Sequence, residues 1–241
     1  MPAPNQKKMQ LPVLMYHEIH IEEGAHYSIQ VDKMIAQFNH LKNNGFTSIS
    51  IKEFLDHTNN NKPLPEKPVL ITFDDGYKTI ATKLYPALVQ LNMKATVFIV
   101  PSYTHEKENI GNQYLSIDEI KNISGDHIEW GLHSYNHANF KKLSVAAAVK
   151  DIEQCIQWFQ FNNIAMTPAF AFPYGAYPKF DFFKRRRLFS SLHLLGVQLF
   201  LRIGNRMNYL RSKKAILLQR IDITGNESIE IFDGYLQAGK K

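Results

Sequence analysis

The sequence predicts an α/β fold: parallel strands wrapped by helices in a single domain, closed or nearly closed into a barrel. Three observations carry this prediction. Short apolar runs alternate with segments of helical periodicity along the whole chain. Some of these runs are apolar at every position, as strands covered on both faces must be. Roughly seven or eight strand–helix units can be counted, and that number favours a closed sheet over an open one. A length of 241 residues suits one domain. One core at that length buries roughly three-quarters of the surface of the unfolded chain.

The elements follow in order. Leu11 to Tyr16 is a short apolar strand. Val31 to Asn44 is helical, with Ile35, Phe38 and Leu41 on one face and Gly45 as its stop. Phe46 to Ile49 is strand-like. Ser50 and Glu53 form a capping box that opens a helix running to about His57. Residues 58–68 (TNNNKPLPEKP) make a loop. Val69 to Phe73 (VLITF) is a strand buried on both faces, and Lys78 to Leu91 is its crossover helix. Ala95 to Val100 is the next buried strand. Ser116 and Glu119 cap a helix, and Ile128 to Leu132 is a strand. Ser144 opens the most regular helix, with Val145, Val149, Ile152, Ile156 and Phe159 at helical spacing. Ala169 to Phe172 is a strand and Asp181 to Leu195 a helix. His193, Gln198 and Arg202 interrupt the apolar stretch from Leu188 to Ile203, which therefore reads as buried helix plus strand, not as a membrane span. Ile216 to Ile223 is the last strand and Ser228 to Leu236 the last helix.

Composition narrows the function classes. Apolar residues make up 44% and aromatics 12%, which is globular composition. Lys plus Arg number 28 against 22 Asp plus Glu. The balance is basic but spread out, too weak to argue for nucleic acid. Cys155 is the single cysteine, so disulfides and cysteine zinc clusters are excluded, and its place beside an apolar helix stripe marks it as core. Lys184 to Arg187 reads as a solvated helix face. Residues 1–10 form a polar tail without a signal-peptide core.

Three motifs follow strands. Thr72-Phe73-Asp74-Asp75-Gly76 puts adjacent carboxylates at a strand end with a glycine to turn the chain. Neighbouring side chains on a strand point to opposite sides, so Asp74 and Asp75 are expected to differ in environment and in role. Taken alone, the pair also suits a cap and turn. His133-Ser-Tyr-Asn-His137 places two imidazoles within reach of one metal ion. Ser134 follows the first histidine, so this is not the HExxH of zinc proteases. Two such histidines are also common as polar loop residues. One Asp with two His leaves coordination positions open, as catalytic metal sites do. Phe172-Pro-Tyr-Gly175 fixes a turn that presents the Tyr174 N–H, and on its own is a Pro-Gly turn.

In this order, TFDDG, HSYNH and FPYG resemble the polysaccharide deacetylase family (NodB homology, carbohydrate esterase family four). The N-terminal VLMYHEI (Val13 to Ile19) and the C-terminal LQRIDITG (Leu218 to Gly225) resemble its poly-N-acetylglucosamine deacetylase branch. The resemblance runs from about Leu11 to Leu236 and makes residues 11–241 one catalytic domain. It implies a distorted (β/α) barrel of about seven strands and metal-dependent removal of N-acetyl groups from a glycan. Asp75, His133 and His137 match the metal ligands, Asp74 the general base, and the Tyr174 backbone the oxyanion donor. His17, in the branch's YH motif, matches the general acid. The wider family's C-terminal Leu-x-His acid is absent, since no histidine follows His193 and Leu192 directly precedes it. The family's motif-three Arg is replaced by Ala171. Arg220 is one candidate for its role, with a surface arginine as the alternative. The Asp and Trp of the family's fourth motif are not recognisable.

The expected cofactor is one divalent ion, with zinc first and Fe, Co or Ni fitting the same donors. The expected partner is an N-acetylated glycan: biofilm-type poly-β-1,6-N-acetylglucosamine first, chitin or peptidoglycan second. No nucleic acid or integral membrane segment is expected, and the chain is expected to be a monomer. By resemblance the protein works at the cell envelope or is secreted, while the tail without a signal-peptide core leaves a cytoplasmic place as the alternative. A two-histidine, one-carboxylate set also suits a non-haem iron oxygenase, although that set normally sits on antiparallel strands. A catalytically silent glycan-binding module is the alternative outside enzymes.

Overall fold

The structure is a computed structural model and describes residues 9–20, 27–104, 113–123, 125–210 and 217–240. Its strands are β1 (Met9–Leu11), β2 (Val13–Tyr16), β3 (Glu18–His20), β4 (Ser28–Gln30), β5 (Thr47–Ser48), β6 (Pro68–Phe73), β7 (Ala95–Ile99), β8 (Ile128–Leu132), β9 (Met166–Ala171), β10 (Leu199–Ile203), β11 (Asn208–Leu210) and β12 (Leu217–Asp222). Its α-helices are α1 (Val31–Asn43), α2 (Ile51–Asn60), α3 (Tyr85–Leu91), α4 (Ile117–Asn122), α5 (Val145–Phe161), α6 (Phe182–Leu194) and α7 (Ile229–Ala238).

Seven strands close a parallel barrel in the order β2–β12–β10–β9–β8–β7–β6, and β6 returns to β2. The short β5 adds outside β6. The pleat sorts side chains into two cores. Leu14, Tyr16, Ile71, Phe73, Val97 and Ile99 belong to the larger cluster, which includes Met34 and Phe38 of α1 and Leu88 of α3. Val13, Leu70, Phe98, Ala169, Ala171, Leu199, Leu201 and Leu218 form the smaller cluster, inside the barrel. Ile51 and Phe54 of α2 join that inner cluster with Leu11. The Glu129 carboxylate, at the start of β8, accepts the Ile51 and Lys52 N–H groups at 2.8 and 3.2 Å. The α2 start is thus tied to the end of the barrel opposite the motifs.

Several elements differ from the sequence expectation for local reasons. Pro12 has no N–H and splits the first strand, so Met9 and Gln10, expected in the tail, instead pair β1 antiparallel with β11. Residues 1–8 of that tail lie outside the described residues, as does Ile216 of the last expected strand. The crossover helix starts as a π-helical turn, Ile80–Leu84, ahead of α3. Pro86 cannot donate to the Thr82 carbonyl and its ring crowds it, so the turn widens. The α2 helix has the expected capping box but runs on to Asn60, where Asn61 takes the left-handed conformation that ends it. The buried face of α5 is Ala148, Asp151, Ile152, Cys155, Trp158 and Phe159, rotated from the expected stripe. Cys155 is core, as expected. The strands β3, β4 and β11 have three residues each, too few to show a period.

Inside the barrel, Arg220 is the largest fully buried side chain. It sits two residues after Leu218 and so shares its inward face. Its guanidinium forks onto Asp74, NH1 to Oδ1 at 2.5 Å and NH2 to Oδ2 at 2.7 Å, and lies 5.6 Å over the Phe98 ring. The alternative of a surface arginine is thereby overturned: β12 closes the barrel between β10 and β2, and Arg220 is fully buried on its inward side. Breaking a buried pair on one side costs about 3–5 kcal/mol, because the remaining charge is stranded. Urea unfolding of Arg220→Ala is expected to show a loss of that size. Arg220→Lys keeps the charge but not the fork and is expected to fall between the two. A parent-like stability for Arg220→Ala would show that the pair contributes nothing.

Candidate active site

The three motifs converge at the C-terminal end of the barrel, each for a local reason. After β6 the ladder runs one residue further, with the Asp74 N–H donating to the Tyr16 carbonyl at 2.9 Å. Asp75 then takes a left-handed φ of 69° and Gly76 one of 77°. A Cβ on Gly76 would lie 2.8 Å from Ile99 Cδ1, an atom at a side-chain end that can shift, so it is the left-handed φ that favours glycine here. Asp74 therefore points into the barrel toward Arg220, while Asp75 points into the mouth. The two carboxylates differ in environment as expected, but through this turn and not through strand alternation.

His133 continues β8, its N–H donating to the Ile99 carbonyl at 3.1 Å. Ser134 and His137 both have left-handed φ values, 66° and 54°. Asp151 of α5 holds this loop: Oδ2 accepts the Ser134 hydroxyl at 2.9 Å and Oδ1 the Tyr135 N–H at 3.1 Å. Nothing in the motif itself pointed to Asp151. The available signal was a carboxylate one position before Ile152 of the helix's apolar stripe.

Both imidazoles are anchored through Nδ1. His133 Nδ1 donates to the Ala171 carbonyl at 2.8 Å, and His137 Nδ1 lies 3.0 Å from the Tyr174 hydroxyl. Their Nε2 atoms face Asp75 Oδ1, at 3.5 Å from His133 and 3.3 Å from His137. One donor atom from each of the three lies within 4.8 Å of the others, the one such group among the described residues. Asp75 Oδ1 is buried without a hydrogen-bond partner. Burial and the neighbouring Asp74 charge push the Asp75 carboxyl up to about 7. Burial pushes His133 down to about 3, and lowers His137 as well. Neutral imidazoles around an orphaned carboxylate oxygen are the donor set a divalent cation takes, so these residues fit a metal.

Asp74 is opposite in character. Burial alone would raise it, but the Arg220 guanidinium, helped by His133 and His17, holds it well below the usual carboxylate range. His17 follows β2, and its Nε2 faces Asp74 Oδ2 at 3.9 Å. Its Nδ1 is buried without a partner. Burial lowers His17 from its ordinary value, against the pull of Asp74. His20 instead pairs with Glu18 at 3.3 Å. His193 Nδ1 contacts the Val197 carbonyl at 3.1 Å, at the end of α6 and away from the motifs.

A cavity of about 320 Å³ has His17, Asp74, Asp75, His133, His137 and Tyr174 in its wall. All six residues expected at the site are thus brought together. Tyr174 has φ 58° on the turn after β9, and its side chain is exposed. Of the other motif aromatics, Tyr77 lines the cavity and stacks on Tyr114. Tyr177 is buried against Phe172 at 5.3 Å and is packing. No helix among the described residues is long and apolar enough to cross a membrane.

Comparison with known proteins agrees with this arrangement. The polysaccharide deacetylase family model matches residues 61–181. A poly-beta-1,6-N-acetyl-D-glucosamine N-deacetylase of Staphylococcus aureus is 26% identical over 163 residues, covering 64% of this chain and 56% of that protein. The chain spans a little over half the length of the curated relatives it matches. Among solved structures, the Streptococcus pyogenes deacetylase PplD in complex with acetate superposes with a TM-score of 0.80 at 22% identity, covering 98% of this chain and all of that one. IcaB from Ammonifex degensii superposes at 0.79 with 22% identity, covering 97% and 99%. At such identity the likeness is one of fold. The family model, however, spans half the chain and contains all three motifs, Asp74-Asp75, His133 with His137, and Tyr174, and the chain therefore belongs to the polysaccharide deacetylase family.

Proposed function

We propose that this chain is a metal-dependent N-deacetylase acting as a monomer on a β-linked N-acetylglucosamine polysaccharide of the cell envelope or secreted matrix. The observation that carries the reading is the orphaned Asp75 Oδ1 between two imidazole Nε2 atoms, beside a second carboxylate held ionised. Poly-β-1,6-N-acetylglucosamine is the first substrate, by likeness to the staphylococcal relative, with chitin or peptidoglycan second. Asp75, His133 and His137 would hold the ion, zinc first and Fe, Co or Ni with the same donors. When bound, such an ion lowers the pKa of a water from about 15.7 to about 7 and polarises the acetyl carbonyl.

The chain's own groups supply the rest. Asp74 is the base, and Arg220 keeps it ionised at any working pH while holding it in one orientation. It takes the water's proton at Oδ2, the oxygen that faces His17. The Tyr174 N–H donates to the oxyanion that develops on the acetyl oxygen. The leaving amine needs a proton, because an amide anion is too basic to depart unassisted. His17 is the acid. Its Nε2 lies 3.9 Å from Asp74 Oδ2, and burial lowers its pKa from the ordinary value against the pull of that carboxylate. His17 gives its proton to the amine, and the proton that Asp74 takes from water balances it over the cycle.

Acetate release from a β-1,6-linked N-acetylglucosamine oligomer is expected with added divalent metal and not after chelation. Release only from acetylated xylan would refute the substrate class. The ligands and the base should separate: His133→Ala is expected to lose metal occupancy, whereas Asp74→Asn keeps the ion and loses turnover. Metal retained in full by His133→Ala, or lost from Asp74→Asn, would overturn those assignments. His17→Ala is expected to keep fold and ion and to lower turnover about 10²- to 10⁴-fold, the usual worth of a positioned acid. Near-normal turnover would return that role to another group.

A further inference from the structure

A second cavity, of about 510 Å³, lies against the other side of the Phe172–Gly175 turn. Gly175 lines both cavities, and the consecutive residues Arg202 and Ile203 of β10 line one each. The two spaces therefore share a wall.

Four cations line this second space, Lys141, Lys179, Lys184 and Arg202, against one carboxylate, Asp181. That carboxylate is committed, since its Oδ1 accepts the Lys184 N–H at 2.9 Å as the N-cap of α6. The lysine and arginine ion pairs among the described residues all lie elsewhere. Lys184 Nζ donates to the Lys141 carbonyl at 3.3 Å, a solvent-exposed contact at the edge of this cavity. Arg202 donates through NH1 to the Ile203 carbonyl at 2.7 Å and through NH2 to Gln219 Oε1 at 3.0 Å. Its Nε is buried without a partner. The cavity also lies at the start of α6, where the helix dipole adds partial positive charge. Phe180, at the rim, is 89% exposed, with Lys179 Nζ 5.2 Å over its ring.

We propose that this cavity binds an anionic group, a carboxylate or a phosphate ester, carried by the glycan next to the sugar being deacetylated. The proposal rests on the deacetylase reading and deepens it by naming an acidic N-acetylated glycan as the preferred substrate. Cations without a carboxylate partner gathered in a concave space attract an anion more strongly than the same charges spread over an open surface. The exposed Phe180 ring offers an apolar face to the sugar bearing that anion. The same charge repels the ammonium group that each deacetylation leaves behind, so polymer already deacetylated is disfavoured there.

The test uses a probe that cannot turn over. Binding of a β-linked oligoglucuronate is measured calorimetrically against a cello-oligosaccharide of equal length. The acidic oligomer is expected to bind about tenfold tighter or more at low salt, the worth of one good charge-assisted contact. That advantage should shrink with added salt and vanish in Lys141→Gln/Lys179→Gln, two exposed positions whose change spares the fold. A phosphodiester-linked sugar oligomer, run in parallel, distinguishes phosphate from carboxylate as the favoured anion. In turnover, the double variant is expected to leave neutral oligomers unaffected and to lose the advantage on acidic ones. Equal binding of acidic and neutral oligomers, or an advantage that the double variant retains, overturns the proposal. So does binding of phosphatidylglycerol vesicles by the parent and not the variant when no acidic glycan binds. Absence of acetate release from every glycan would count against the deacetylase reading and leave the binding result standing.

Discussion

The Arg220–Asp74 pair is the constraint on which the site depends. A barrel of seven strands has little interior, and this one fills its lower part with apolar side chains. At the catalytic end the filling changes to a guanidinium and a carboxylate locked in a two-pronged contact. Neither group could be buried there alone, because an isolated charge in that environment costs far more than any packing it gains. Together they tie β12 to the end of β6 and give the proposed base a fixed direction. The pair also gives Arg220, one candidate for the role of the motif-three arginine, a direct contact with Asp74. Ala171 leaves that position empty, and the guanidinium arrives from the last strand instead.

The same pair sets the contrast between the adjacent carboxylates. Asp74 has its countercharge within the protein and stays ionised. Asp75 has burial, a like charge beside it and no hydrogen-bond partner for Oδ1. Its electrostatic deficit is a positive charge, and the imidazoles facing it cannot supply one, because burial keeps them neutral. The donors are thus complementary to a cation. Asp74 meanwhile sacrifices basicity for certainty of ionisation. In the proposed reading such a weak base would suffice only where an ion at Asp75 had acidified the water, so the two proposed roles depend on each other.

Sequence made the local parts legible and the long-range parts obscure. TFDDG, HSYNH and FPYG each encode a turn within a few residues, so their place at strand ends could be read directly. The barrel followed from the count of strand–helix units. Arg220, by contrast, meets Asp74 across 146 residues. Its inward direction depends on the register of β12, and an arginine in a strand carries no mark of facing inward. Asp151 was hidden differently: the apolar stripe of α5 was placed about one residue off, which left Asp151 beside it and not on it. The π-helical turn before α3 was readable in principle from Pro86, but its outcome depends on how the surrounding packing absorbs the missing donor.

Backbone strain shows where the fold yields to the site. Nine non-glycine residues among those described have positive φ. Four are asparagines (Asn61, Asn92, Asn163 and Asn205), which tolerate that conformation at helix ends and turns. Four more are Asp75, Ser134, His137 and Tyr174, every one in a motif at the barrel mouth. Each costs of order 1–2 kcal/mol relative to an ordinary conformation. A parallel strand delivers its last side chain either into the barrel or out toward the helices, and neither direction points across the mouth. A left-handed residue directly after the strand turns the chain by the angle that strand alternation cannot provide. In this way Asp75 swings away from Asp74, His137 comes round to face Asp75, and the Tyr174 amide is held on a rigid turn. The Asp151 contacts and the His133 anchor on Ala171 help hold these loops in that conformation.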